Sequence, residues 1–233
     1  MTSYSAALSH DLFEVTSDFR NYYGGSQFLY PTERERTSGC GIAGAADIVL
    51  YLRALETGDY SVSVQEFLDI SGEIRKYIPI IPGRGVNSFI LAGGLNRYFK
   101  KHGMGLKARW KITRFRKWEK LEKMLEADLP VILAIGNNFP FVWGRKELNL
   151  YIPDADSKDR EEKVYNKYQG VCGHFVVVTG IEDNCLTVSS WGKKLFINLD
   201  EYNRYVSRHS IHIYSNILEI KRRDRKLGRS EFT

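Results

Sequence analysis

The chain has 233 residues, of which 43% are apolar and 27% are charged, with a formal net charge of +6. This length and composition allow a substantial core and exclude a disordered protein. No stretch reaches the roughly 20 apolar residues of a membrane span, and residues 1–21 lack the basic start and apolar centre of a secretory signal. We therefore expect a cytoplasmic protein with no membrane partner.

The positive charge is concentrated at the C-terminal end. Residues 221–229 contain six basic side chains and one acidic one, which leaves about +1 for the rest of the chain. Such an end can contact nucleic acid, but a solvated tail is the simpler interpretation. We expect one domain over residues 1–220, a basic tail over 221–233 and no nucleic-acid partner.

The first half of the domain, residues 1–105, has the pattern of a helical lobe. An irregular aromatic start contains Gly24-Gly25. A run that opens at Cys40 is apolar on most sides and predicts a central helix that ends near Gly58. Two further helices are predicted, one capped by Ser61 or Ser63 and extending through Ile74, the other from Asn87 or Ser88 to Lys101.

The second half, residues 106–220, is dominated by strand patterns. An amphipathic helix with apolar positions Trp118, Leu121 and Leu125 interrupts them, and another helix is predicted from near Asp200. Strands are predicted at 106–112, 131–135, 141–143 paired with 148–152, 175–179, 186–189, 195–197 and 211–220. Helices followed by an antiparallel sheet indicate an α+β fold.

Two side chains have the setting of a nucleophile and its base. Cys40 opens a helix, where unpaired N–H groups and the helix dipole favour thiolate over thiol. His174 stands at the start of a β-branched run, where a rigid strand can hold an imidazole in one orientation. The pattern therefore predicts a Cys/His pair.

Four segments carry a family resemblance. They are Ser38-Gly39-Cys40-Gly41, residues 129–135, residues 173–183, and Ser189-Ser190-Trp191-Gly192. In their order and spacing they resemble the papain-like cysteine peptidase superfamily, nearest to the bacterial branch related to the double-glycine leader (bacteriocin-processing) peptidases. The resemblance spans residues 31–205. It implies a papain-like fold, with a helical lobe whose central Cys-bearing helix packs on a C-terminal antiparallel sheet.

The resemblance implies Cys40 as nucleophile and His174 as general base and later acid. A third residue normally orients the imidazole, and in the family it is Asn or Asp. Counting sixteen residues from His174 gives Ser190, whereas alignment on Trp-Gly gives Ser189. Either hydroxyl can accept a hydrogen bond but supplies no carboxylate charge.

The oxyanion donor also departs from the family pattern. The family places a Gln about six residues before the nucleophile, and this chain has Arg34 there. Gln27, in the preceding loop, is the second candidate. Loss of one oxyanion donor typically costs about 3 kcal/mol of transition-state stabilisation.

The resulting hypothesis is a thiol peptidase that acts on peptide or related amide bonds of a peptide or protein substrate and needs no cofactor or metal. The alternative is a pseudopeptidase that binds a peptide segment in the same cleft without cutting it. Acyl transfer by the same dyad is a third possibility. The three cysteines, Cys40, Cys172 and Cys185, are too few and too far apart for a disulfide framework or a zinc knuckle.

Four features close in sequence to His174 or Ser190 are expected to have structural rather than catalytic roles. Cys172 is expected to face the same side of a strand as His174 and to pack in the core. Trp191 is expected to cover the imidazole. Glu182 and Asp183 are assigned to a turn, and residues 154–163 to a solvated loop.

Overall fold

The computed structural model describes residues 3–81, 85–137, 142, 144, 146–154 and 165–223. These residues form a mixed α+β structure with six α-helices and a large antiparallel sheet, which confirms the predicted α+β class. The helices are α1 (Glu33–Ser38), α2 (Cys40–Thr57), α3 (Val64–Arg75), α4 (Ser88–Lys101), α5 (Lys117–Glu126) and α6 (Leu199–His209), and a 3₁₀ turn spans Gln27–Leu29.

Twelve strands are present in the described residues. They are β1 (Ser5–Ala7), β2 (Glu14–Thr16), β3 (Asn21–Tyr23), β4 (Ser61–Ser63), β5 (Leu106–Trp110), β6 (Val131–Ile135), β7 (Leu148–Pro153), β8 (Tyr165–Val171), β9 (His174–Glu182), β10 (Cys185–Ser190), β11 (Lys193–Asn198) and β12 (Ile217–Arg222). The large sheet has the order β5-β12-β6-β9-β10-β11-β7-β8, with β1 added beside β9. The small sheet has the order β3-β2-β4.

The central helix α2 begins at Cys40 and ends where Gly58 adopts φ +74°, a left-handed C-cap that glycine accepts at low cost. Its apolar residues are buried on nearly all sides, as predicted. Gly44 allows close contact with the sheet, since a Cβ there would lie 3.2 Å from Val177. The second turn of α2 thereby lies against β9, the strand that carries His174.

Helix caps explain where the other helices begin. Ser63 Oγ accepts from the Glu66 N–H, and Asn87 Oδ1 accepts from the N–H groups of Phe89 and Ile90. Asn198 caps α6 in the same manner by accepting from the Glu201 N–H. Each satisfies backbone donors that the first helical turn leaves unpaired. Two of these caps were among the alternatives that the sequence left open.

The N-terminal segment differs from its prediction. Instead of an irregular start it forms β1, β2 and β3, each only three residues long. Strands this short show no readable alternation, and their partners lie far along the chain: Ser5 pairs with Glu182 in β9, and Val15 with Val62 in β4. The N-terminal lobe is therefore not purely helical, and its first strand belongs to the large sheet.

Three strand predictions also need correction. β7 pairs with β8, a strand too polar to be read from the sequence; the predicted partners Phe141 and Trp143 lie outside the described residues. The last strand begins at Ile217 rather than at residue 211, because Tyr214 and Ser215 donate back to the Ile211 carbonyl in a turn. It continues to Arg222, two residues past the predicted end of the domain, by pairing with Leu106 of β5.

In the ranges described above, no helix combines the length and the apolar character that crossing a bilayer requires.

Candidate active site

Cys40 is the first residue of α2, as its position after Gly39 predicted. Gly39 is the N-cap and offers no side-chain cap, so the helix N-terminus stays open beside the sulfur. A Cβ at Gly39 would lie 2.5 Å from the Glu35 carbonyl oxygen and 2.7 Å from the Tyr30 ring, and a Cβ at Gly41 would lie 3.3 Å from Phe175. The two flanking glycines therefore let the chain pass close to the site on both sides of the thiol.

His174 is the first residue of β9 and pairs with Ile135 of β6, so a rigid strand holds its backbone. Its Nε2 lies 2.7 Å from the Ser190 Oγ at the end of β10. Ser190, counted sixteen residues after the histidine, is thus the serine that contacts the imidazole. When Nε2–H donates to Ser190, the Nδ1 lone pair is the basic position of the ring.

Trp191 covers His174, as predicted. The two rings are stacked, with centroids 4.7 Å apart and planes inclined by 23°. Trp191 and Gly192 are the two residues of the β10–β11 hairpin turn and have φ +54° and φ +71°. Two consecutive positive φ values are typical of a type I′ turn, where Asn-Gly is the preferred pair. A tryptophan in this conformation carries backbone strain of order 1 kcal/mol, and stacking on His174 offsets part of it.

Cys40 and His174 line one small pocket of about 10 Å³. Gln27, Asp47 and Trp191 line the same pocket. A volume of this size holds about one water molecule. His174 and Phe175 also line a larger groove of about 590 Å³. Its lining also includes Val86, two residues before α4, and Ser88, the first residue of α4, so the groove is bordered by both the helical part and the sheet.

Burial of the site favours the neutral forms of Cys40 and His174. Burial raises the pKa of the Cys40 thiol, although the nearby backbone N–H groups of Phe175, Gly41 and Cys40 itself oppose that rise. Burial also lowers the pKa of His174 to about 4. Both shifts disfavour charge, because the site is desolvated and Ser190 contributes no compensating carboxylate.

Ser189 points to a different partner from Ser190. Its Oγ donates to the Tyr23 carbonyl oxygen at 3.0 Å and lies 3.5 Å from Asp47 Oδ2. The other Asp47 oxygen accepts from the Gly25 N–H at 2.7 Å. Ser189 therefore connects β10 to Tyr23 at the end of β3, and its hydrogen bonds do not involve the imidazole.

Asp47 is a site residue that the sequence interpretation missed. It is 2% exposed and lies two turns after Cys40 on the same face of α2. Burial raises its pKa to about 7, against the lowering effect of its bonds to Gly25 and Ser189. Because Ser189 already donates to Tyr23, a protonated Asp47 completes the chain by donating to the Ser189 oxygen. The signal available in the sequence was a single carboxylate inside the apolar run of residues 41–52.

The two oxyanion candidates occupy different places. Gln27 is buried in the pocket with Cys40, and its Nε2 donates to the Arg36 carbonyl at 2.6 Å. An amide nitrogen carries two N–H groups, so one remains for a ligand. The Arg34 guanidinium instead donates to the Ile80 carbonyl oxygen, and Arg34 is absent from the residues that line the pocket.

The prediction for Cys172 was wrong. Gly173 adopts φ +63° and β9 begins only at His174, so Cys172 lies outside the strand and its side chain is exposed. The turn assignment is confirmed for Asp183, since Asp183 and Asn184 connect the paired residues Glu182 and Cys185, and it was wrong for Glu182, which is the last residue of β9. The loop prediction for 154–163 falls, apart from Asp154, outside the described residues.

Within the part of the chain that the structure describes, no three His, Cys, Asp or Glu side chains are grouped in a way that would hold a metal ion. No protein-family model, curated protein or solved structure matches the chain. The functional interpretation therefore rests on the motifs and on the geometry of this site.

Proposed function

We propose that the chain is a thiol hydrolase of papain-like type, in which Cys40 and His174 cleave peptide or related amide bonds. The observation that carries the proposal is the shared pocket. Cys40 at an open helix N-terminus and His174 at a strand start line the same small space, and a hydrogen-bonded serine and a stacked tryptophan fix the imidazole. This is the nucleophile, base and orienting-group arrangement of covalent catalysis.

The chemistry follows from the neutral resting pair. As Cys40 Sγ attacks the substrate carbonyl carbon, its proton passes to His174 Nδ1 and the carbonyl oxygen becomes an oxyanion. His174 then gives this proton to the leaving amine nitrogen as the C–N bond breaks, which leaves a thioester on Cys40. A water molecule, deprotonated by His174, hydrolyses the thioester and restores the thiol.

Gln27 is the proposed oxyanion donor because it is the buried amide in the pocket. Its bond to the Arg36 carbonyl fixes the amide before substrate binds. A donor held in advance stabilises developing charge without reorganising during the reaction.

The groove of about 590 Å³ beside His174 is the proposed substrate channel. Its lining includes residues 134–137, Val86 and Tyr214 together with the polar side chains of Asn87 and Ser88. This mixture of apolar and polar residues suits an extended peptide, whose side chains need apolar contacts and whose backbone needs hydrogen-bond partners.

A pseudopeptidase remains the second candidate, and one observation favours it. The pKa shifts of Cys40 and His174 both oppose the thiolate–imidazolium form, and Ser190 brings no negative charge to stabilise it. A chain that only binds peptides needs the groove but no proton transfer.

Cleavage of a diverse peptide library, read by mass spectrometry, separates the two candidates. The hydrolase proposal expects new peptide termini with the wild type, their loss with Cys40→Ser or His174→Gln, and their retention with Cys172→Ser, a matched control at an exposed thiol. Peptides retained by the protein but never cut would support the binding module. Termini that persist in Cys40→Ser would contradict the nucleophile assignment.

A further inference from the structure

A second pocket, of about 620 Å³, lies at the first turn of α5 where it meets α6. It shares no lining residue with the active-site pocket or the substrate groove. Its basic residues are Arg114, Arg116, Lys117 and Arg204, together with His212, and Asp200 is the acidic residue that lines it. This excess of cations distinguishes the pocket from the mixed walls of the groove.

The strongest indication of a ligand in this pocket is the side chain of Lys117. Its side chain is only 3% exposed. Its Nζ lies 4.2 Å from the Trp118 ring centroid and 4.4 Å from that of Tyr202. Within the described residues Lys117 has neither a hydrogen bond nor an ion pair with a carboxylate, and a buried ammonium normally has one or the other. Among the described residues the two rings are the partners of this charge, and Lys117 also lines the pocket, where an anion can reach it.

The backbone points to the same kind of ligand. Helix α5 has ten residues, and its N-cap Arg116 adopts φ +52° without a side chain that accepts from the first turn. The first N–H groups of this helix therefore have no side-chain cap, and Arg116, Lys117 and Trp118 at this positive end of the helix dipole line the pocket. Lys117 and the helix end thus favour an anion independently of each other.

The neighbouring carboxylates compensate only part of this positive potential. Asp200 Oδ2 accepts from Asn184 Nδ2 at 2.9 Å and keeps its negative charge, whereas Glu119, in the first turn of α5, pairs with Arg116. Arg114, Lys117 and Arg204 still outnumber Asp200 among the other charged residues that line the pocket. His212 has a buried Nδ1 with no hydrogen-bond partner among the described atoms. Desolvation and the charges of Lys117 and Arg114 lower the pKa of His212. Desolvation, followed by the Lys111 charge, lowers the pKa of Lys117 to about 7, so a bound anion would relieve repulsion among these groups.

We propose that this pocket binds the phosphate group of a small organic phosphate, with the phosphate oxygens at the first turn of α5 and beside Lys117. Arg114 and Arg204 supply further donors at the rim, since both line the pocket. Phe115, which also lines it and is 73% exposed, offers an apolar surface for the organic part of the ligand. Binding here is independent of whether Cys40 is catalytic.

Calorimetric titration of the full chain with inorganic phosphate and with phenyl phosphate tests the proposal. Both should bind, and phenyl phosphate should bind more tightly because its ring contacts Phe115. Lys117→Met should weaken both by about tenfold or more, as expected for loss of a charge-assisted bond. Arg204→Gln should weaken both by a smaller factor. Arg208→Gln, one turn further along α6 and outside the pocket, is the matched control and should bind like the wild type.

Thermal unfolding provides a second readout that does not depend on the heat of binding. Lys117→Met should be at least as stable as the wild type without ligand, because it removes a desolvated charge that has no carboxylate partner. Phosphate should raise the Tm of the wild type and should raise that of the variant by less at the same concentration. The proposal is wrong if neither probe binds the wild type with a Kd below about 10 mM, or if Lys117→Met binds both probes as tightly as the wild type.

Discussion

The imidazole Nε2 of His174 lies 2.7 Å from the hydroxyl of Ser190, one of the two serines that the proposed papain-like resemblance places at the position of the family's Asn or Asp. A hydroxyl orients the ring without stabilising its cation. Burial raises the pKa of Cys40 and lowers that of His174, so both effects favour the neutral pair, and in the proposed mechanism the proton moves during attack.

Ser190→Ala should lower kcat/KM for amide cleavage by about tenfold, because the ring loses the hydrogen bond that selects its tautomer. Ser189→Ala removes the bond to Tyr23 and should reduce the Tm more and kcat/KM less than Ser190→Ala does. Steady-state kinetics and thermal unfolding of both variants check this. A larger kinetic loss in Ser189→Ala would reverse the assignment of the orienting serine.

Gln27→Ala should lower kcat by about a hundredfold with little change in KM, as expected for loss of an oxyanion donor. Arg34→Ala breaks only the bond to the Ile80 carbonyl and should change kcat by less than about threefold. Kinetics of the two variants with one peptide substrate compare them directly. If Arg34→Ala lowered kcat as much as Gln27→Ala or more, Arg34, six residues before Cys40, would be the better candidate for the oxyanion donor.

Asp47 should make stability depend on pH in an unusual direction. Its folded pKa, about 7, is raised above the ordinary value of 3.8, so the folded state binds more protons than the unfolded state between these pH values. Stability from this group is therefore present at low pH and is lost as pH rises through about 7. Asp47→Asn imitates the protonated carboxyl, since its Nδ2–H donates to Ser189.

The measurement for Asp47 is urea unfolding of wild type and Asp47→Asn at several pH values. Between pH 5 and pH 7 the variant should gain about 2 kcal/mol in unfolding free energy relative to the wild type. Taking the difference removes the opposite trend from His174, whose folded pKa of about 4 lies below the ordinary 6.5 and costs stability as pH falls through that range. A difference that does not change with pH would contradict the raised pKa of Asp47.

Trp191→Asn should leave the hairpin intact, since Asn-Gly suits a type I′ turn, but should uncover the imidazole. Water then reaches the ring, and the pKa of His174 should rise from about 4 toward 6.5. NMR titration of the His174 ring protons in wild type and variant measures this. A pKa that stays near 4 would mean that the strands, and not Trp191, exclude the solvent.

Local signals in the sequence were sufficient to predict the settings of the two central residues of the site, Cys40 and His174. The glycines around Cys40 and the β-branched run after His174 determine a helix start and a strand start, and both follow from short-range preferences. The capping residues Ser63 and Asn87 were also readable. Such features depend on a few neighbouring residues, so one sequence is enough to predict them.

Other features depend on contacts between distant segments. Gln27 reaches the pocket through the course of a loop, and Asp47 acquires its role only when Gly25 and Ser189 pack against it. Cys172 was misplaced because a single positive φ at Gly173 interrupts the strand pattern. Spacing along the chain carries little information about any of these.

The central claim, that His174 activates Cys40, is tested most directly by the rate at which iodoacetamide alkylates Cys40 between pH 5 and pH 9. Peptide mass spectrometry resolves Cys40 from the exposed Cys172, which serves as an ordinary thiol in the same sample. We predict that Cys40 in the wild type reacts at least about tenfold faster at pH 7 than in His174→Gln, while Cys172 is unaffected. Equal Cys40 rates in both proteins, rising only toward the ordinary thiol pKa, would contradict the account.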